Sequence, residues 1–133
     1  MEMREILFRG KRETDGEWVE GYYQKRYDDF ENIQNLIFWA KSSIVWEYAE
    51  VDPETVCQYT GLTDKNGRKI FEGDIVKDSS CGLYTVNWSN ENGMYEVRQY
   101  NCSMDSFDVF LACDCEVVGN VFDNFELIGG NAK

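Results

Sequence analysis

Residues 84–98 read YTVNWSNENGMYEVR, and this stretch decides the fold class. Its two ends carry the β-branched and aromatic side chains that fit a pleated, half-buried surface. Between them, Asn92-Gly93 supplies two residues that tolerate the positive φ angles of a type I′ turn. A second pair, Asn66-Gly67, separates residues 63–65 from residues 68–70 in the same way. The sequence therefore predicts two β-hairpins.

Further strands are predicted on the amino-terminal side of these hairpins. Residues 5–9 alternate around two apolar side chains, and Asp15-Gly16 then offers a turn before the aromatic segment 17–23. This pattern predicts a first hairpin. Residues 44–51 are again rich in β-branched and aromatic side chains, which predicts another strand.

Two short segments are predicted to form corners. The strand pattern breaks at residues 52–54, which fit one turn of helix at most, with Asp52 and Thr55 holding the backbone around Pro53. Residues 72–77 predict a bend that enters a strand, and the Asp74 carboxylate is expected to accept backbone N–H groups there.

The conformation of residues 27–40 is left open by the sequence. Phe30, Ile33 and Ile37 have the spacing of one helical face, so a short helix is one alternative. Residues 36–40 form a continuous apolar run that fits a strand better.

Many short strands and glycine-bearing turns predict a mainly β fold, arranged as a small antiparallel barrel or roll with at most short helices. The tail 116–122 predicts a last strand, in which Gly119 marks a bulge or a close backbone approach. A length of 133 residues fits one domain, so we predict a single domain over residues 1–133.

The charge balance limits the classes of partner. The chain has 13 basic and 25 acidic residues and a net charge of −12, whereas phosphate binding needs clustered Lys and Arg. We therefore predict no direct binding to nucleic acid. The excess of acid predicts either a solvated surface or a nucleic-acid mimic whose carboxylates occupy the basic groove of another protein.

The cysteines and the apolar runs predict a compartment. The chain has five cysteines without the spacing of a disulfide framework. The charged start Met1-Glu2-Met3-Arg4-Glu5 is unlike a signal peptide, and the longest apolar run, residues 36–40, is far shorter than a membrane helix. We expect reduced thiols, a cytoplasmic location and no membrane association.

Catalytic and metal sites are hard to find in this sequence. The chain has no histidine, which excludes Ser–His and Cys–His nucleophile pairs within it. Cys113-x-Cys115 fits either two metal ligands, with Cys102 as a third, or two small buried hydrophobes. Acidic pairs such as Glu72 with Asp74 leave a carboxylate-based hydrolase as an alternative. We predict no catalytic residue, no cofactor and no metal.

Tryptophan provides the candidate interaction surface. Trp18, Trp46 and Trp88 lie on predicted strands, where such side chains pack into a core or bind a partner.

Three stretches in this chain resemble the YopX family. They are residues 3–21, residues 51–76 and residues 116–124, and they contain MREILFRGKR, QYTGLTDKNG and EVVGNVFDN. The chain departs from the family pattern at Cys57, where the family has Gly, and at Phe125, where Pro is typical. Residues 26–48 match weakly and are expected to be a variable insertion or an edge segment.

The resemblance implies a phage- or prophage-encoded protein of a bacterial host with a mainly β fold that includes an SH3-like barrel. It carries over no catalytic or ligand-binding residue. Our leading hypothesis is a non-enzymatic accessory protein that binds a protein partner through a β scaffold, with self-association as a further expectation. The acidic mimic and the hydrolase are the alternatives.

Overall fold

The computed structural model describes residues 5–79, 82–99, 104–106 and 114–128. It contains two compact units, residues 1–59 and residues 60–133. The strands form two antiparallel sheets, and the helical segments with described bounds are short 3-10 turns, which confirms the mainly β prediction. Within the described ranges the sheets do not close into a barrel. The SH3-like geometry and the single domain over residues 1–133 stay predictions.

The first unit is built on a sheet in the order β4-β3-β2-β1-β5. Its strands are β1 (Phe8–Lys11), β2 (Trp18–Tyr27), β3 (Ile33–Ala40), β4 (Trp46–Glu50) and the beginning of β5 (Cys57–Thr63). The predicted hairpin at Asp15-Gly16 joins β1 to β2. The buried side chains of this unit include Leu36, Ile37, Ala49, Val51 and Cys57. Cys57 thus fills a buried position in this unit.

Residues 27–40 form strand and turn, so the helical alternative is wrong. Asp28 Oδ1 accepts hydrogen bonds from the backbone N–H of Phe30 and of Asn32, at 2.8 and 2.9 Å. Glu31 takes a positive φ of 64° within this turn. The Asp28 carboxylate therefore closes a tight reversal between β2 and β3. The helical spacing of Phe30 has no role, because its side chain points into solvent.

The end of β4 returns to the end of β1. Val51 forms a β-bridge with Arg12, and the Glu13 N–H donates to the Glu50 carbonyl at 2.9 Å. The predicted corner follows as a 3-10 turn, Pro53–Thr55. Its Thr55 hydroxyl oxygen accepts the Lys11 N–H at 2.8 Å. The first unit therefore curls into a partly closed roll.

The second unit continues from Thr60 and contains a five-stranded sheet in the order β10-β9-β8-β7-β11. Its elements are the end of β5, β6 (Lys69–Phe71), β7 (Asp74–Lys77), β8 (Leu83–Ser89), β9 (Met94–Gln99), β10 (Met104–Ser106), β11 (Glu116–Asn120) and a 3-10 turn, Phe125–Ile128. Its core contains Ile70, Val76, Val86, Val97, Cys115 and Val117.

Both Asn-Gly hairpins are present, but neither turn is of type I′. Gly67 and Gly93 have positive φ. In the described ranges, Glu31 is the only residue with positive φ that is not a glycine. Asn66 and Asn92 therefore keep negative φ. Side chains just before each loop explain the longer turns. Asp64 accepts the Asn66 N–H at 2.9 Å, and the Ser89 hydroxyl accepts the Asn92 N–H at 3.1 Å.

The bulge predicted at Gly119 is confirmed. The pairing of β11 with β7 shifts register between Val117 and Gly119. A Cβ at Gly119 would lie 2.5 Å from Asn124 Oδ1, which accepts the Asn120 N–H at 3.1 Å. The glycine therefore leaves space for the asparagine that closes the following turn.

Candidate functional site

Four aromatic side chains lie together on one face of the sheet in the first unit. The strand register places Tyr22 opposite Phe38, and Phe38 opposite Tyr48. Trp46 precedes Tyr48 by two positions on β4 and therefore points to the same face. We call Tyr22, Phe38, Trp46 and Tyr48 the aromatic face.

The aromatic face is exposed although its members contact one another. Tyr22, Trp46 and Tyr48 leave 56%, 53% and 58% of their surface accessible. The rings of Tyr22 and Trp46 lie 5.9 Å apart, and those of Phe38 and Tyr48 lie 5.3 Å apart. Ring contacts of this kind hold the side chains in place. Contiguous exposed apolar patches are typical of interaction surfaces.

A cavity of about 570 Å³ lies beside β4. Residues 46–50 line it in unbroken succession. Consecutive strand residues point to opposite faces, so the cavity runs along the edge of β4. Arg12 and Glu13, which follow β1, line the cavity as well. Trp39 of β3 is a further lining residue. We call this cavity the β4 groove.

Carboxylates dominate the charge of the β4 groove. Glu13, Glu47 and Glu50 line it together with Arg12. The Arg12 guanidinium donates two hydrogen bonds to Asp15, Nε to Oδ1 at 2.9 Å and Nη2 to Oδ2 at 2.7 Å. These hydrogen bonds lower the pKa of the Asp15 carboxyl and raise the pKa of Arg12. The Arg12 charge is thus balanced by Asp15, and Lys41 Nζ lies 3.4 Å from Glu47 Oε2, so Glu13 and Glu50 leave the groove acidic.

The predicted tryptophans occupy different surroundings. Trp18 is half-buried on β2, with the Arg9 guanidinium carbon 4.7 Å from the centre of its ring. It lines a second cavity, of about 390 Å³, that shares Arg12 and Trp39 with the β4 groove. Trp46 belongs to the aromatic face and lines the β4 groove. Trp88 lies on β8 of the second unit, and its ring is 5.0 Å from that of Tyr95.

Sequence reasoning missed Trp39 and Tyr48. Trp39 lies within the apolar run 36–40, which indicated a strand and no site, and its Nε1 donates to Glu47 Oε1 at 3.2 Å beside the groove. Tyr48 follows Trp46 with the two-residue period that places strand side chains on one face. That alternation was the signal that could have found Tyr48. The pairing of β4 with β3 could not be read from local sequence.

The cysteine pair is described only in part, because Cys102 and Cys113 lie outside the described residues. Cys115 is fully buried in the core of the second unit. Burial, followed by the nearby Asp114 charge, raises the pKa of the Cys115 thiol to about 11. Among the described residues, no group of three acidic or thiol side chains is placed to share a metal ion. Cys115 matches the alternative of a small buried hydrophobe.

The acidic pairs show structural roles where they are described. The Asp74 carboxylate is buried and accepts the Phe71 N–H at 2.8 Å, as predicted. Asp15, Asp28 and Asp64 are carboxyl groups with a clearly shifted pKa, and each of these pKa values is lowered. A general acid needs the opposite shift. The hydrolase alternative therefore gains no support from these groups.

Asp64 connects two distant parts of the second unit. Its Oδ1 atom accepts the N–H groups of Asn66 and Arg68, both at 2.9 Å, and its Oδ2 atom accepts the Val117 N–H at 2.9 Å. Arg68 Nη1 donates to the Val117 carbonyl at 3.1 Å. The stretch GLTDKNG thus forms a structural junction. Sequence reasoning missed it, although Asp64 stands two residues before Asn66 in the spacing of an Asx turn.

Within the described residues, no helix combines the length and the apolar character needed to cross a membrane.

The fold and its surfaces define a mainly β protein of two compact units that carries an exposed aromatic face and an acidic groove along a strand edge. The chain belongs to the YopX protein family, whose sequence model matches residues 7–129. This match confirms the resemblance seen in the three sequence stretches. A comparison with curated proteins gives no match.

Proposed function

We propose that this YopX-family protein is a phage- or prophage-encoded accessory protein that binds another protein in the bacterial cytoplasm and catalyses no reaction. The aromatic face is the observation that carries the proposal. Trp and Tyr are the side chains that contribute most to protein–protein affinity. Three of them are about half exposed here, on the two strands that flank β3.

The aromatic face is supported from behind by a packed layer. Ile37 and Ala49 lie opposite each other on β3 and β4, point to the other face of the sheet, and are buried. The aromatic rings are thus presented by strands that are fixed in the core. A surface ordered before binding loses little conformational entropy when a partner docks. This arrangement supports a binding scaffold.

The biological setting rests on the family and on composition. Family membership supports the phage or prophage origin. Five cysteines without framework spacing, of which Cys57 and Cys115 are buried, fit a reducing cytoplasm.

The nucleic-acid mimic has no specific observation in its favour. It requires rows of unbalanced carboxylates, but several acids of the described residues pair with cations. Arg12 pairs with Asp15, and Lys41 Nζ lies 3.4 Å from Glu47 Oε2. The mimic stays a prediction that salt-sensitive binding to a DNA-binding protein would test.

Cross-linking and affinity capture during phage infection test the proposal. Truncating a hot-spot aromatic costs about 2 kcal/mol or more, so the double variant Trp46→Ala/Tyr48→Ala, which loses two of them, should weaken binding of the principal partner by several hundred-fold, on the order of 4 kcal/mol. Phe30→Ala is the matched control, because Phe30 is an exposed aromatic in the β2–β3 turn, outside the aromatic face. Equal capture by all three proteins would contradict the proposal.

Light scattering of the same proteins tests self-association. A wild-type dimer that becomes monomeric in Trp46→Ala/Tyr48→Ala would assign the aromatic face to contacts between copies of the chain. A monomer across the concentration range would leave the face available to a different protein.

A further inference from the structure

The open edge of β4 carries an inference that rests on the proposed function and specifies the partner. We propose that an extended, basic segment of a partner protein adds as an extra strand to β4, within the β4 groove. Its backbone would pair with β4, and its Lys or Arg side chains would meet the acidic lining.

The backbone of β4 is oriented for such pairing. β4 is the outer strand of its sheet. The Val51 N–H donates to the Asn35 carbonyl and the Lys41 N–H donates to the Val45 carbonyl, both at 2.8 Å. Antiparallel hydrogen bonds alternate along a strand, so the odd-numbered residues of β4 direct their backbone groups towards β3. Trp46 and Tyr48 therefore direct their N–H and C=O groups towards the groove.

The structure already contains one example of pairing at this edge. Like Trp46 and Tyr48, Glu50 is an even-numbered residue of β4 and directs its backbone groups away from β3. Its carbonyl accepts the Glu13 N–H at 2.9 Å. The segment that follows β1 thus occupies the edge at Glu50. The edge at Trp46 and Tyr48 continues in line with it, bordered by the cavity of about 570 Å³. That volume lies in the range of roughly 300–1,000 Å³ that is usual for ligand sites.

The charge of the groove selects the class of segment. Glu13, Glu47 and Glu50 line the groove. The Arg12 charge is held by Asp15, and Lys41 Nζ lies 3.4 Å from Glu47 Oε2, so Glu13 and Glu50 leave the groove with an excess of negative charge. A basic segment would gain charge-assisted hydrogen bonds, whereas an acidic segment would meet like charges. A second copy of β4 is disfavoured for the same reason, because it would bring its own Glu47 and Glu50 to these carboxylates.

The side chains on the two faces of β4 specify an alternating pattern. Glu47 lies on one face of β4, and Trp46 and Tyr48 lie on the other. An added strand would also alternate, so basic side chains on one side would lie near Glu47, beside its ion pair with Lys41, while apolar side chains on the other would pack on the aromatic face. The peptide KVKVKV has this pattern and is the probe that we select.

Fluorescence anisotropy with labelled peptides on the full chain tests the inference. We expect KVKVKV to bind at least about tenfold more tightly than EVEVEV. We expect a comparable loss of affinity when the alternate backbone nitrogens of KVKVKV that face β4 are methylated. Methylation removes the hydrogen bonds between the strands and keeps the charge of the peptide. Methylation on the other side is the matched control and should have little effect.

The double variant Glu47→Gln/Glu50→Gln should lower the affinity for KVKVKV several-fold and leave the exposed aromatic rings in place. Glu31→Gln, in the exposed β2–β3 turn, is the control variant. On binding of KVKVKV, the amide chemical shifts of Trp46, Glu47 and Tyr48 should change.

Equal binding of both peptides, or no effect of methylation at any nitrogen, would overturn the inference. If Trp46→Ala/Tyr48→Ala still loses partner capture in that case, the proposed function stands without the added strand.

Discussion

The Oδ2 atom of Asp64 accepts a hydrogen bond from the backbone N–H of Val117, 53 residues further along the chain, at 2.9 Å. The same carboxylate closes the β5–β6 loop through its other oxygen. One nearly buried side chain, 5% exposed, thus orders a turn and fixes the last strand of the second unit.

Replacing Asp64 should destabilise the protein. Asp64→Ala leaves the N–H groups of Asn66, Arg68 and Val117 without their acceptor, so we expect the free energy of unfolding to fall by about 3 kcal/mol. Urea denaturation followed by fluorescence measures the change. Asp29→Ala, in the exposed turn between β2 and β3, is the control and should change stability by less than about 0.5 kcal/mol. Similar losses in the two variants would contradict the structural role of Asp64.

Asp64 should also make stability depend on pH. Burial acts to raise the pKa of Asp64, but the hydrogen bonds from three backbone N–H groups outweigh it and lower the pKa. A carboxyl with a lowered pKa stabilises the fold fully above its unfolded-state pKa of about 3.9, and this contribution is lost as pH falls through the folded-state pKa. Stability should therefore drop as the pH is lowered below about 4.

The variant Asp64→Asn isolates this contribution. We expect it to be less stable than the wild type at neutral pH, and the difference in free energy of unfolding should narrow as the pH falls below about 4. Urea titrations of both proteins between pH 7 and pH 2.5 measure it. A difference that stays constant over this range would contradict the lowered pKa.

Gly21 should resist substitution for a steric reason. A Cβ at Gly21 would overlap the backbone carbonyl oxygen of Phe38 on the neighbouring strand, and that oxygen cannot move without distorting β3. We expect Gly21→Ala to cost at least about 2 kcal/mol. Gly16→Ala is the comparison, because Gly16 has a positive φ of 74° and open space around it. It should cost about 1 kcal/mol, and the reverse order would count against the close contact.

The Cys115 thiol should react slowly while the protein is folded. It is fully buried and its pKa is about 11, so little of the reactive thiolate is present near pH 8. Maleimide labelling followed by peptide mass spectrometry should find Cys115 unmodified in buffer and modified in 6 M guanidinium. Rapid labelling in buffer would show that the thiol is accessible, and would reopen the metal-ligand alternative for Cys113 and Cys115.

The single domain predicted for residues 1–133 can be tested with two of these variants. Gly21 belongs to the first unit and Asp64 to the second. If the chain unfolds as one cooperative domain, Gly21→Ala and Asp64→Ala should each shift one common calorimetric transition. Two transitions, each shifted by one variant, would show that the units unfold separately.

Local turn chemistry made much of this fold predictable. Asp52 and Thr55 hold the corner at Pro53, and Asp74 holds the entrance to β7, because each side chain bonds to backbone within a few residues of its own position. Such contacts need no knowledge of which strands become neighbours. The bulge at Gly119 was predictable because a glycine within a strand pattern itself marks an irregularity.

Features that depend on strand pairing were not predictable. The helical spacing of Phe30, Ile33 and Ile37 is accidental, since the Asp28 turn and the pairing of β2 with β3 determine the conformation there. The aromatic face and the β4 groove arise only when β3 places Phe38 beside Tyr48. No short-range sequence pattern predicts that Phe38 pairs with Tyr48.

The bridge between Arg12 and Val51 has a consequence for solubility. Together with the contact from Glu13 to Glu50, it blocks one end of β4, and the tight reversal at Lys41 and Val45 blocks the other. Runaway stacking of chains into fibres requires a long, flat and open edge. Because both ends of the β4 edge are blocked, it can pair with one short strand of a partner, but it is too short to support the repeated strand addition that builds a fibre.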